Sequence, residues 1–141
     1  MARVFFTDRD LGKQFPARLR EAGLHVERHA DHFEPDTPDA VWLPEVGKRG
    51  WVVLTHDERI RYKPNELAAV MRHGVRLLVV QGRAPYAQLA EWFVQTLPRV
   101  ETFVGTHSAP YIAKVQRPTP KELAANPAAP GRVTLWVPAR G

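Results

Sequence analysis

Cysteine is absent from the 141 residues. That removes disulfides, thiol catalysis and cysteine-ligated zinc or iron–sulfur centres. No apolar run approaches the length of a membrane span, and residues 1–20 lack the apolar core of a signal peptide. The cytoplasm is therefore the expected compartment, with no membrane partner. Internal repeats are missing too. So are a Gly-x-x-x-x-Gly-Lys-Ser/Thr loop for nucleoside triphosphates and a Gly-x-Ser-x-Gly nucleophile elbow. What is present suits one globular domain with a real core, at 44% hydrophobic and 25% charged residues.

The net charge of +5 is unevenly spread. Residues 1–66 carry 11 Lys/Arg against 12 Asp/Glu, whereas residues 67–141 carry 9 against 3. An acidic first half and a basic second half suit a polyanion held against a metal bound by acids. Ordinary solubilising charge would give a similar count, so charge alone decides nothing.

The pattern along the chain alternates strand and helix. Arg3–Thr7 reads as a buried first strand. Lys13–Ala22 places Phe15 and Leu19 four apart and ends at Gly23, the signature of a helix with a glycine cap. Leu24 and Val26 suggest a short second strand, and residues 29–38 a polar loop. Thr37-Pro38 precedes a helix with Asp39 in its first turn, and Pro44 predicts an early kink or restart. Strands follow at Trp51–Thr55 and Arg76–Val80, with a short helix over Glu66–Arg72 between them. Tyr86–Leu97 carries Leu89, Trp92, Phe93 and Leu97 at helical spacing, with Pro98 as the expected stop. This order predicts an α/β fold with a mostly parallel sheet.

Composition changes near residue 107. Residues 110–141 hold six of the 13 prolines, and the stretch 118–131 is poor material for regular structure. Tyr111–Val115 and Val133–Val137 flank it as expected strands. They either pair as an appended hairpin or order only on a partner. The domain boundaries expected are 1–107 for the main domain and 108–141 for a basic, Pro-rich extension.

Asp8 ends the first strand, Asp57 follows the run Trp51-Val52-Val53-Leu54-Thr55, and Asp39 opens a helix. In a crossover sheet all three fall on the carboxyl edge, where open α/β sheets bind ligands. Each alone has an ordinary explanation as cap, dipole partner or turn residue. Three on one edge repel unless something positive lies among them, and no Lys is adjacent in sequence. Oxygen donors suit the hard cations Mg²⁺ or Mn²⁺. Asp10 and Thr55 are second-tier members, and Glu34, Asp36 and Glu66 are alternatives for a fourth acid. Arg59, Arg61 and Lys63 follow at alternate positions, either as RNA-phosphate contacts or as ordinary loop charges. His25, His29 and His32 straddle a strand and a loop, which argues against a joint metal role.

These motifs resemble a PIN-like domain, the ribonuclease fold of VapC-type toxins. The resemblance rests on Phe6-Thr7-Asp8-Arg9-Asp10, on Asp39 with Trp42-Leu43 and Gly47–Gly50, and on Trp51-Val52-Val53-Leu54-Thr55-His56-Asp57. It covers roughly residues 3–82. It implies a three-layer α/β/α fold, here with a short C-terminal β-hairpin extension, and Mg²⁺ or Mn²⁺ on Asp8, Asp39 and Asp57 as the catalytic, metal-binding acids. It also implies hydrolysis of RNA phosphodiesters and, for the toxin branch, a small antitoxin partner; a homodimer is compatible with it. The competing reading is a catalytically inactive PIN-like module that binds nucleic acid or protein.

Overall fold

The computed structural model describes residues 3–138. The chain runs β1 (Val4–Thr7), a 3-10 turn (Arg9–Leu11), α1 (Gln14–Glu21), β2 (His25–Arg28), α2 (His29–His32), α3 (Asp39–Arg49) and β3 (Val52–Thr55). A second 3-10 turn (Ile60–Tyr62), α4 (Pro64–Arg72), β4 (Arg76–Val80), α5 (Tyr86–Thr106), β5 (Tyr111–Gln116), α6 (Pro120–Ala125) and β6 (Arg132–Val137) complete it. One six-stranded sheet results, in the order β2-β1-β3-β4-β5-β6. The first five strands are mutually parallel, and β6 is antiparallel to β5.

Strand residues alternate between two cores, as the period of two requires. Phe5, Val52, Leu54, Leu78 and Val80 face one side, where Phe15 and Leu19 of α1 meet Leu89, Phe93, Val100 and Phe103 of α5. Phe6, Val53, Leu77, Val79 and Ile112 face the other, under Trp42, Leu43 and Val46 of α3 and Val70 of α4. The molecule is thus a three-layer α/β/α sandwich. Near-continuous burial of β3 and β4 is what a sheet covered on both faces demands.

Pro44 brings no restart, and Pro98 is not the stop expected. α3 runs unbroken through Pro44, and α5 runs through Pro98 to Thr106. Each proline removes one helical N–H, but burial on both sides of it outweighs that loss. Trp42, Leu43 and Val46 hold α3, while Val100, Phe103 and Val104 beyond Pro98 are buried. The loop expected over residues 29–38 begins with one helical turn, in which Asp31 bonds back to Arg28.

The two C-terminal strands pair with each other. In addition β5 joins β4 directly, with Leu77 opposite Ile112 and Val80 opposite Val115. The pair therefore closes the sheet rather than standing beside it. Gly131 fastens it to α5, because its N–H donates to Thr96 Oγ1 at 2.8 Å and its carbonyl accepts from Arg99 Nη1 at 2.6 Å. A Cβ at that position would lie 1.8 Å from the carbonyl oxygen of Gln116.

Candidate active site

β1 and β3 are neighbours, yet the chain leaves β1 toward β2 on one side and enters β3 from the other. Their carboxyl ends form the switch point of the sheet, where open α/β sheets leave a crevice. Asp8 directly follows β1, its N–H bonded to the Leu54 carbonyl at 2.9 Å. Asp57 lies two residues past β3, and Asp39 is the first residue of α3.

The tightest arrangement is a pair that only partly coincides with those three acids. Thr55, 2% exposed, turns its hydroxyl toward both Asp8 Oδ2 (3.2 Å) and Asp10 Oδ2 (3.0 Å). The backbone N–H of His56 bonds both oxygens of Asp10, at 3.1 and 3.0 Å. The N–H of Asp57 donates to Thr55 Oγ1 at 3.2 Å, so one hydroxyl links three of the acids. Asp10 reaches this place because the 3-10 turn after β1 folds it back toward β3.

Burial pushes the Asp8 carboxyl up to about 6, with the charges of Asp10 and then Asp39 adding to it against the Arg9 N–H and Thr55 bonds. Asp10 is raised as well, chiefly by burial, while the His56 N–H and Thr55 bonds oppose the rise. Two acids are thus held close together at some electrostatic cost, which a cation would relieve.

Positive charge already stands at one flank. Lys63 Nζ lies 2.6 Å from Asp57 Oδ2, although no Lys is adjacent to the acids in sequence. That bond, with the charges of Asp57, Glu66 and Asp39, raises the Lys63 pKa against burial. Asp57 also accepts from the Arg59 N–H, and Asp39 from Trp42 Nε1 at 2.9 Å. Among the alternatives for a fourth acid, Glu66 is the one brought near this cluster, through Lys63. Glu34 and Asp36 stay exposed in the loop between α2 and α3.

Among the described residues no three acid or imidazole groups converge closely enough to hold an ion unaided. A hydrated Mg²⁺ or Mn²⁺ needs less, since such ions use one or two carboxylates and keep several waters. The Asp8–Asp10 pair fits that requirement, being an all-oxygen donor set in which at least one carboxyl is pushed far above its ordinary value. Asp39 is close enough to raise Asp8 electrostatically, whereas Asp57 is engaged by Lys63.

Of the three cations expected to meet phosphate, Lys63 sits on Asp57 and Arg61 stacks on aromatic rings. Arg59 is exposed. Two neighbours of the acids carried no signal in the sequence. His56 fixes its Nδ1 on the Val80 carbonyl at 2.7 Å, and Tyr86 donates its hydroxyl to the Asp10 carbonyl at 2.8 Å. His56 stands as the variable middle residue of Thr-x-Asp, and Tyr86 arrives from α5, far along the chain. The three histidines do not share one site. His25 and His32 both meet Glu27, and His29 is buried between Phe6, Phe33 and Trp42.

A cleft of about 210 Å³ opens beside Asp8, lined also by Arg9, Lys13, Arg28 and His29. A larger hollow of about 770 Å³ lies between α1 and α5, and none of the four acids lines it. The acids, not the volume, mark the site. No helix among the described residues is long and apolar enough to cross a membrane. A family model described as "PIN like domain" matches residues 3–82. No curated protein and no solved structure matches the chain.

Proposed function

The chain belongs to the PIN-like domain family, and from that premise we propose that it is a metal-dependent endoribonuclease acting as the toxin of a toxin–antitoxin pair. PIN-like domains are generally nucleases. The observation that carries the reading is the Asp8–Asp10 pair, gathered on Thr55 at the sheet's switch point with Asp8 pushed up to about 6.

Asp8 and Asp10 would hold Mg²⁺ or Mn²⁺, with Asp39 beside them and Asp57 available once Lys63 releases it. Such an ion supplies positive charge for the scissile phosphate and lowers the pKa of an attacking water. The chain's own contribution is orientation. Thr55 and the His56 N–H fix the rotamers of the paired acids, and the Arg9 N–H fixes the other oxygen of Asp8 at 2.7 Å. Lys63 and Arg59, beside Asp57, would meet a phosphate arriving at that flank. The basic second half of the chain favours a polyanionic substrate. A small antitoxin is the partner that the toxin branch implies.

One observation favours the competing reading of an inactive binding module. Lys63 neutralises Asp57 directly, as a structural ion pair would. Cleavage of single-stranded RNA in Mn²⁺ decides between the two. Wild type should cut, Asp8→Asn and Asp10→Asn should lose 100-fold or more on the order expected for a lost metal-binding acid, and EDTA should stop the reaction. A wild type that binds RNA yet never cuts it in Mn²⁺ or Mg²⁺ leaves the binding module standing.

A further inference from the structure

Beyond the acids, the most unusual surface is built around Arg61. Its guanidinium lies 4.6 Å from the ring centre of Tyr62 and 4.0 Å from that of Trp136. Lys114 Nζ stands 5.4 Å from the same Trp136 ring. Tyr62 is 66% exposed, the most exposed large hydrophobic side chain among the described residues. The Tyr62 hydroxyl accepts from Arg61 Nη2.

Neither Arg61 nor Lys114 pairs with a carboxylate among the described residues. Arg61 Nε is buried without a partner, so the rings rather than an acid hold the guanidinium. Lys63, next to Tyr62, reaches Asp57. The consecutive residues Lys63, Tyr62 and Arg61 therefore connect the Asp57 flank of the acids to Trp136 and Lys114. Lys114 and Trp136 come from β5 and β6, beyond the family-matched segment.

We infer that Tyr62, Arg61, Trp136 and Lys114 form a track for single-stranded RNA leading away from the acids, with an unpaired base stacked on Tyr62. The inference rests on the ribonuclease reading and adds the strand's path to it. Aromatic faces beside unpaired cations are what single strands require, because every base offers a π face and every linkage a negative charge. Duplex RNA offers no unstacked base to Tyr62. An acidic protein would answer the cations but leaves the exposed ring unexplained.

Binding of a fluorescein-labelled single-stranded 12-mer, measured by anisotropy in EDTA, tests the track without cleavage. Tyr62→Ala should weaken binding about 5- to 150-fold, the range of one lost base stack. Tyr62→Phe should stay within about two-fold, since the ring is kept. Lys114→Gln should lower the slope of log affinity against log salt by about 0.7. Because Tyr62 is exposed, its melting temperature should match wild type, and Arg18→Ala on α1 serves as a distant control.

A Tyr62→Ala protein that binds within two-fold of wild type overturns the track. If that wild type still cleaves RNA, the ribonuclease reading survives alone. Loss of binding in Tyr62→Ala, with no cleavage by wild type in Mn²⁺, supports the track and removes the ribonuclease reading. Tighter binding of polyglutamate than of the 12-mer overturns the track in favour of an acidic protein partner.

Discussion

The ammonium of Lys63 sits 2.6 Å from Oδ2 of Asp57, where it occupies one of the acids that the family resemblance assigns to a metal. The pair is half exposed on its Lys side, so the attraction is modest and open to exchange with solvent ions. A cation that takes Asp57 Oδ2 competes with Lys63 for it.

Removing that competitor should tighten divalent binding. Lys63→Met is expected to raise Mn²⁺ affinity several-fold in a calorimetric titration, by about 1 kcal/mol if the pair behaves like other exposed ion pairs. Asp57→Asn in the same titration should weaken it. Unchanged affinity in both variants would remove Asp57 from the metal-binding set.

The raised carboxyl of Asp8 gives a pH signature. Its value is about 6 in the folded protein against an ordinary 3.8. Between those limits the folded state holds a proton that the unfolded chain has lost, so stability falls as pH rises from about 4 to about 6. The change is on the order of 2–3 kcal/mol, and Asp10 acts in the same direction. Urea unfolding in EDTA at pH 4.5 and 7.5 should show this decline from Asp8, and Asp8→Asn should lack most of it while being the more stable protein at pH 7.5. Saturating Mn²⁺ should restore stability to wild type at pH 7.5 far more than at pH 4.5. An Asp8→Asn protein with the same pH dependence as wild type would show that Asp8 is not the group responsible.

His29 is 1% exposed, and neither of its ring nitrogens has a hydrogen-bond partner. Burial holds it neutral, lowering its pKa, with the Arg9 charge acting the same way. An unbonded buried polar atom destabilises the fold, so His29→Leu is expected to raise stability by about 1 kcal/mol. Chemical denaturation checks it. A loss of 2 kcal/mol or more would mean that ring packing with Phe6, Phe33 and Trp42 outweighs the missing bonds.

Gly131 leaves no room for a side chain. With a Cβ placed 1.8 Å from the Gln116 oxygen, Gly131→Ala must push β5 and β6 apart or break the bonds to Thr96 and Arg99. A loss of about 3 kcal/mol or more is expected, well above the usual effect of a surface change. Thermal unfolding should show it. A shift of under 2 °C would indicate that the turn moves freely.

The strands and acids near the start of the chain were legible because their signals are local. Val52-Val53-Leu54 is an unbroken apolar run, Asp8 follows its strand directly and Asp57 lies two residues past its own. Pro98 misled for the opposite reason. The force that carries α5 past it comes from Val100, Phe103 and Val104 reaching a core assembled from distant segments. The Asp8–Asp10–Thr55 arrangement spans 47 positions and depends on β1 and β3 being neighbours. The Lys63 contact depends on where the second 3-10 turn folds back. The sequence supplies Asp10 and Thr55 as second-tier members of the site, but no spacing encodes the bonds that gather them or the reach of Lys63 to Asp57.

The segment that defines family membership is shorter than the segment that folds. Residues 3–82 contain the acids and four strands, but the core behind Phe5 and Leu54 is filled by Phe93, Val100, Phe103 and Tyr111. Exchanging only the matched segment with a relative's would transplant the acids while severing them from half of the hydrophobic cluster behind Phe5 and Leu54. The matched segment therefore depends for its core on residues that bear no functional signature, and β6 is fastened to the helix that carries Thr96 and Arg99 through Gly131.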